Sequence, residues 1–199
     1  MAITDSFPTS REDIRNLRAK WIPLAQGLVA EIGFGEGANL PYFGSGIREL
    51  MAIDPDIEMT ESLQARLNRL SFPVLFSSAD AEHIQAQEGV FDFVVSTWTL
   101  CSVKSLFHTL LEVRRVLKPG GHFLFLEHGF SRDEPIQLAQ SLWTPLQRIV
   151  ANGCHLNRPM LAEIQGAGFR LEEHEESYVR GWRPFSFVSA GLARKPLQT

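Results

Sequence analysis

Three glycines at alternate positions, Gly33, Gly35 and Gly37, follow a short apolar run over residues 28–32. Glycine tolerates positive φ and has no side chain, so a ligand can approach the backbone of such a loop. A tight turn that needs glycine for its geometry alone is the simpler interpretation. Alternating glycines directly after an apolar strand favour ligand binding over that interpretation.

Two acidic residues stand where the next two predicted strands end. Asp54 closes the run 47–54, and Asp80 follows the run 73–78. A carboxylate at the first position can accept both hydroxyls of a ribose, and one at the second can accept an adenine amino group. Either aspartate alone would be an ordinary turn residue, but the pair at successive strand ends indicates an adenosine pocket. Because the glycine loop and Asp54 also fit the relaxed dinucleotide fingerprint, an NAD-type oxidoreductase remains an alternative.

Two histidines could act as a general base on a second ligand. His128 ends the fifth predicted strand, and His155 lies in a later segment. A histidine has an ordinary pKa near 6.5, which suits proton transfer at neutral pH. A histidine bonded to the backbone at a strand end is an equally good interpretation of His128.

Other residues near the same strand ends could form a pocket for a second ligand. A tryptophan is as often a core residue as a residue of a pocket wall. A lone arginine at the start of a helix is more often a surface residue than a substrate ligand. The predicted pocket residues are Trp98, Cys101, Glu127 and Arg158.

Strands alternate with helices along the chain. The strands are predicted at residues 28–32, 47–54, 73–78, 91–96, 122–127, 169–176 and 185–194. The helices are predicted at 57–70, 103–117 and 135–150, the last kinked or broken at Pro145. This alternation predicts an α/β fold, a doubly wound and mostly parallel sheet with helices on both faces.

The composition is that of one folded domain over residues 1–199, with 44% hydrophobic and 21% charged residues. Its parts are an N-terminal helical segment (1–26), a cofactor-binding half (27–130), and substrate-side helices with closing strands (131–199). The net charge of −4 disfavours a nucleic-acid partner. With no run of about 18 apolar residues and no signal-peptide pattern, we expect no membrane anchor and a cytoplasmic location.

The cysteine pattern predicts neither a metal site nor a disulfide framework. Cys101 and Cys154 are the only cysteines, and their spacing matches no metal-binding motif. No metal is therefore expected.

Taken together, the motifs over residues 25–130 resemble the class I S-adenosylmethionine-dependent methyltransferases. The matching elements, in the family's order, are Glu31-Ile-Gly33-Phe-Gly35-Glu-Gly37, Asp54, Asp80-Ala81, Phe91-Asp-Phe-Val-Val-Ser96, and Leu117-Lys-Pro-Gly-Gly121 followed by HFLFLEHG. The resemblance implies S-adenosyl-L-methionine as cofactor and a Rossmann-like seven-stranded sheet with an antiparallel last strand. It assigns cofactor contacts to Glu31, Gly33, Gly35, Gly37, Asn39, Asp54, Pro55, Asp80, Ala81, Ser96 and Thr97.

A second resemblance covers most of the chain. The segments 39–43, 153–158 and 167–169 are similar to small-molecule methyltransferases, among them the membrane-linked thiol methyltransferases of vertebrates and the quinone-biosynthesis enzymes. It implies methyl transfer to an S, O or N acceptor on a small, partly apolar molecule. The alternatives are the NAD-type oxidoreductase and a non-catalytic regulator that binds an adenosine cofactor.

Overall fold

The computed structural model describes residues 10–197, which form seven strands and six α-helices. The strands are β1 (Gly27–Ile32), β2 (Ile47–Ile53), β3 (Val74–Ser77), β4 (Phe91–Thr97), β5 (Leu117–His128), β6 (Arg170–Tyr178) and β7 (Phe187–Arg194). The helices are α1 (Arg11–Trp21), α2 (Glu61–Leu67), α3 (Leu106–Val116), α4 (Glu134–Val150), α5 (Met160–Gly166) and α6 (Arg183–Ser186). Residues 1–9 of the predicted N-terminal helical segment lie outside the described residues.

All seven strands form one sheet in the order β3-β2-β1-β4-β5-β7-β6. The first five strands pair in parallel, whereas β7 runs antiparallel to both of its neighbours, β5 and β6. The predicted fold class, a mostly parallel seven-stranded sheet with an antiparallel last strand, is therefore confirmed.

The central strands are apolar on both sides because both faces of the sheet are covered. Ala30 and Ile32 of β1 pack into a cluster with residues of α3 and α5. Val29 of the same strand packs on the opposite face, with Trp21 of α1 and Leu63 of α2. Helices therefore cover both faces of the sheet, as the continuous apolar runs predict.

Pro145 does not break the long helix after β5. Helix α4 runs without interruption from Glu134 to Val150, so the predicted break at this proline is wrong. A proline inside a helix leaves the carbonyl of the residue four positions earlier without a partner. That residue is Ser141, which is exposed, so water can satisfy its carbonyl.

Strand β5 begins earlier than predicted, at Leu117 instead of His122. Leu117 pairs with Phe91, and the regular pairing resumes at His122 opposite Phe93, so residues 118–121 bulge out of the ladder. The Pro-Gly-Gly sequence that predicts a helix stop is therefore a bulge inside the strand.

The strand order reverses between β1 and β4, because the chain moves outward to β2 and β3 before it returns to β4. The loops that leave the carboxyl ends of these strands diverge there, and ligands bind at such points in open α/β sheets.

Candidate active site

A cavity of about 770 Å³ opens at this edge of the sheet. Its volume lies within the range of sites that bind small molecules and cofactors. Its walls come from the loops after β1, β2, β3, β4 and β5 and from the end of α4. The lining residues are Gly33, Gly35, Glu36, Ile53, Asp54, Pro55, Asp56, Glu58, Thr60, Asp80, Ala81, Trp98, Thr99, Cys101, Ser102, Val103, Lys104, His128, Gln147, Ala151, Asn152 and Cys154.

The glycine loop forms one wall of this cavity. Gly35 has φ +51°, and a Cβ added there would meet no atom within 4 Å, so the space beside its backbone is open. Its N–H donates to Asp54 Oδ2 at 2.9 Å, which ties the loop to the end of β2. Gly33 is packed instead: an added Cβ would lie 1.8 Å from Thr99 Oγ1. The glycine loop is therefore tightly packed at Gly33 and open to a ligand at Gly35.

Carboxylates surround this end of the cavity. Five acidic side chains belong to its lining, whereas Lys104 is the one basic residue among the lining residues. The five are Glu36, Asp54, Asp56, Glu58 and Asp80. Such a rim repels the pyrophosphate of a dinucleotide and attracts a cation such as a sulfonium. The site therefore fits S-adenosylmethionine and argues against the NAD alternative.

A buried polar network lies beneath the glycine loop. Asn39 donates to Glu31 Oε1 at 2.8 Å and to Thr97 Oγ1 at 3.0 Å, and it accepts from Arg18 Nε at 3.0 Å. The second oxygen of Glu31 is buried without a hydrogen-bond partner. Burial raises the pKa of Glu31 to about 8, against the opposing effects of Asn39 and Arg18. The network anchors the loop and does not line the cavity.

Two strained residues line the opposite end. Trp98 (φ +56°) and Asn152 (φ +50°) are the only non-glycine residues between positions 10 and 197 with positive φ. The Trp98 ring stacks on His128, with 5.6 Å between centroids and 22° between planes. Positive φ at a bulky residue costs free energy and persists only where neighbours enforce it, commonly at functional sites.

Two side chains, Glu127 and Arg158, hold the loop after β4 in place through hydrogen bonds. The buried carboxylate of Glu127 accepts from Ser96 Oγ at 2.6 Å, Thr99 N at 3.1 Å and Cys101 N at 3.3 Å. Burial raises the pKa of Glu127, although these hydrogen bonds oppose the rise. The Arg158 guanidinium donates to the carbonyl of Leu100 and, at 2.8 Å, to that of Val103.

The side chains of two cysteines and one histidine meet where the loop after β4 faces the cavity. The ligand atoms of Cys101, His128 and Cys154 all lie within 4.8 Å of one another. Cys154 Sγ is 3.4 Å from His128 Nδ1, and both cysteines are buried. The hydrogen bond with Cys154, together with burial, raises the pKa of the Cys101 thiol well above its ordinary value. The same hydrogen bond lowers the pKa of Cys154, although burial opposes it.

The structure separates the predicted site residues into two groups. Those that line the cavity are Gly33, Gly35, Asp54, Pro55, Asp80, Ala81, Trp98, Cys101 and His128. Those that support it from outside the lining are Glu31, Gly37, Asn39, Ser96, Thr97, Glu127, His155 and Arg158. His155, predicted as a second base, instead lies behind Cys101, with its Nδ1 3.2 Å from that residue's carbonyl oxygen.

Sequence reasoning missed Cys154 as a site residue. The turn after α4 brings Cys154 to the loop after β4, next to Cys101 and His128. Thr99, Gln147 and Asn152 were also missed. No spacing motif marks these residues, since they meet only through tertiary packing.

Comparisons with known proteins agree with this geometry. Residues 30–125 match the family model described as Methyltransferase domain. The chain is 32% identical to thiol S-methyltransferase TMT1A of Homo sapiens over 163 residues, which is 80% of this chain and 66% of that protein. It is 34% identical to thiol S-methyltransferase TMT1B of Rattus norvegicus over 164 residues, 79% of this chain and 63% of that protein. The chain thus spans just under two thirds of the length of these relatives.

The fold also has solved counterparts. A putative methyltransferase from Bacillus halodurans C-125 superposes with a TM-score of 0.68 at 18% identity, covering 93% of this chain and 99% of that one. The prediction of S-adenosyl-L-methionine as cofactor is confirmed by the matched family. From its motifs, its sheet and these relatives, the chain belongs to the class I S-adenosylmethionine-dependent methyltransferases.

Proposed function

We propose that this protein transfers a methyl group from S-adenosylmethionine to the sulfur of a small, partly apolar thiol. One observation carries the proposal: a single cavity joins the acidic glycine-loop wall to a wall made of Trp98, Cys101, His128 and Cys154. The similarity to two thiol S-methyltransferases supports sulfur among the possible acceptor atoms.

At the cofactor end, the chain's own groups have the chemistry that the cofactor requires. Asp54 lies at the end of β2, where a carboxylate can accept ribose hydroxyls, and its oxygens also fix the backbone of Gly35 and Asp56. Asp80 and Ala81 follow β3 on the same wall. The cofactor, when bound, supplies an electrophilic methyl group on a sulfonium.

At the acceptor end, the residues form a partly apolar chamber. Trp98 offers a large flat surface, and the buried cysteines add polarisable sulfur atoms. His128 is the imidazole in the cavity lining, so we assign it contact with the acceptor. A thiol must lose its proton to become a good nucleophile, and we assign to His128 the handling of that proton. Holding the thiol against this wall orients it for in-line attack.

The first test is cofactor binding. S-adenosylhomocysteine should raise the melting temperature, since a ligand at one hundred times its dissociation constant adds about 2.7 kcal/mol. NADH should leave it unchanged. A shift with NADH alone would overturn the proposal.

The second test is turnover with matched acceptors. Labelled methyl donor is offered with 2-phenylethanethiol, 2-phenylethanol and 2-phenylethylamine, which differ only in the acceptor atom. We expect methylation of the thiol well above that of the other two. Preference for the alcohol or the amine would refute a sulfur acceptor, and cofactor binding without any turnover would indicate a regulator.

A further inference from the structure

The cluster of Cys101, His128 and Cys154 has the composition of a metal site. Two thiol sulfurs and one imidazole nitrogen suit zinc, whereas magnesium and calcium prefer oxygen ligands. We propose that these three side chains bind one Zn²⁺ ion and leave its fourth position open to the cavity for the acceptor thiol. The binding of the metal stands on its own, while its role toward the acceptor rests on the proposed function.

The distances fit tetrahedral coordination. Bonds of about 2.3 Å to sulfur and about 2.0 Å to nitrogen place the two ligand atoms about 3.6 Å apart. The observed separation of Cys154 Sγ and His128 Nδ1 is 3.4 Å. Since Cys101 Sγ lies within 4.8 Å of both, only small side-chain shifts are needed to close the site around an ion.

The surrounding groups hold these ligands in place. Glu127 accepts from the Cys101 N–H, and Arg158 donates to the carbonyls of Leu100 before Cys101 and Val103 after it. The N–H of His155 donates to the Cys101 carbonyl at 2.7 Å, and Trp98 stacks on the His128 ring. Outer-shell contacts of this kind orient metal ligands and tune their affinity.

Charge also favours a cation at this point. Zn²⁺ binds both cysteines as thiolates and displaces their protons, and a divalent ion between two thiolates gives a neutral cluster in this buried position. Glu127 does not supply a fourth ligand, because its oxygens already accept hydrogen bonds from Ser96 Oγ and from the backbone N–H groups of Thr99 and Cys101. The three-ligand set is therefore left with an open position, as in catalytic zinc sites.

All three ligands line the cavity, so the open position faces the space assigned to the acceptor. A thiol that binds there exchanges its S–H proton, which passes to solvent, for a bond to the metal. The sulfur then attacks the methyl carbon of the sulfonium and forms the new S–C bond. The old S–C bond breaks with its electron pair remaining on the cofactor's sulfur, and the neutral thioether leaves the metal. In this arrangement His128 is a ligand, and the metal replaces a general base.

The first experiment measures metal binding by the full chain. Reduced, metal-free protein is titrated with Zn²⁺ against a chromophoric chelator, and bound zinc is counted by mass spectrometry. We expect one tightly bound ion per chain in the wild type. Cys101→Ser, Cys154→Ser and His128→Gln should each weaken binding at least tenfold. His108→Gln, at an exposed position on α3 outside the cavity lining, is the control and should bind as the wild type does.

Three results would overturn the site. The first is wild-type protein that binds no Zn²⁺ under reducing conditions. The second is bound zinc that the cysteine variants retain at full affinity. A Cys101–Cys154 disulfide that persists in reductant, detected by thiol counting, would also exclude it. Because the wild-type titration needs no variant, a misfolded substitution cannot leave the outcome open.

The second experiment asks whether a thiol occupies the open position. Co²⁺ replaces Zn²⁺, and the absorption spectrum is recorded during titration with 2-phenylethanethiol and, as a matched control, 2-phenylethanol. A thiolate that joins the metal should increase the sulfur-to-cobalt charge-transfer band, and the alcohol should not. An unchanged spectrum with the thiol would refute the open acceptor position.

Turnover separates this inference from the proposed function. If metal-free protein methylates the thiol at the full rate, the function stands and the metal's role fails. If zinc-loaded protein binds S-adenosylhomocysteine but methylates no thiol, the proposed function fails while the metal site stands on its binding data.

Discussion

The cofactor end of the cavity is lined by carboxylates that bond to their own loops, whereas the acceptor end is lined by groups held from distant segments. Asp54 and Asp80 each accept a backbone N–H two residues further along. At the other end, Cys101 is fixed by Glu127 of β5 and by the arginine before α5. Apart from the Gly35 N–H that Asp54 also accepts, the bonds of the first wall are local, whereas the second wall depends on the whole fold.

Because of this difference, we expect substitutions at the two ends of the cavity to have different effects. A locally bonded carboxylate can be replaced with little effect on the rest of the protein. The acceptor wall contains two positive-φ residues and a tight side-chain cluster, so changes there should alter the chemistry strongly.

The largest effect is expected from His128→Gln. The variant should lower the turnover of a thiol acceptor by roughly 10²–10⁴-fold, whether the imidazole takes the acceptor's proton itself or holds the metal that displaces it. The affinity for S-adenosylhomocysteine, measured by calorimetry, should stay within about twofold. His155→Gln is the control and should retain near wild-type turnover. Equal losses in the two variants would contradict the separate placement of these histidines.

The next effect concerns stability at the cofactor end. The pKa of Glu31 rises from 4.5 to about 8 on folding, so the stability contributed by its protonated form is complete below about pH 4.5. It is lost progressively as the pH rises to about 8, at up to about 1.4 kcal/mol per pH unit. Glu31→Gln mimics the neutral carboxyl and keeps an oxygen for Asn39.

Urea unfolding at pH 5 and pH 8.5 checks this. The variant should be similar to the wild type at pH 5 and more stable by up to about 4 kcal/mol at pH 8.5. A constant difference at both values would show that the carboxyl does not titrate in this range.

A smaller effect is expected from Arg158→Ala. Removal of the guanidinium leaves the carbonyls of Leu100 and Val103 without their donor, which costs about 1–3 kcal/mol per buried group. The loosened loop should lower thiol turnover by roughly tenfold, and cofactor affinity should hold. Arg148→Ala, at an exposed position on α4, is the matched control. If the variant lost cofactor affinity and kept its turnover, the assignment of this loop to the acceptor end would be wrong.

The last effects are expected from single carboxylates of the acidic wall, and they are confined to cofactor affinity. Asp54→Ala removes a ribose acceptor and the bond to Gly35 N, and should weaken S-adenosylhomocysteine about tenfold to a hundredfold. Asp80→Ala should weaken it less, because an adenine amino group offers fewer hydrogen bonds. Calorimetry on the folded variants ranks the two. The reverse ranking would require a different orientation of the ligand.

The sheet and the cofactor wall were predictable from the sequence because their signals are local. Apolar runs mark the strands, and the glycine loop, Asp54 and Asp80 each follow a strand directly. The prediction of a break at Pro145 was wrong because the carbonyl of Ser141, which loses its partner to the proline, lies on the exposed face of α4 and can bond to water. Cys154 was missed because no sequence spacing records that the turn after α4 reaches the loop after β4.

The reversed strand β7 has a consequence for how the sheet is completed during synthesis. It inserts between β5 and β6, so both neighbours are made before the strand that joins them. Until then the long edge of β5 is unpaired, and such edges invite association with other chains. Val188 of β7 pairs directly with His128, so the last of the seven strands to be made also pairs with the acceptor end. A nascent chain therefore gains the complete seven-stranded sheet and the support of the acceptor wall in the same step.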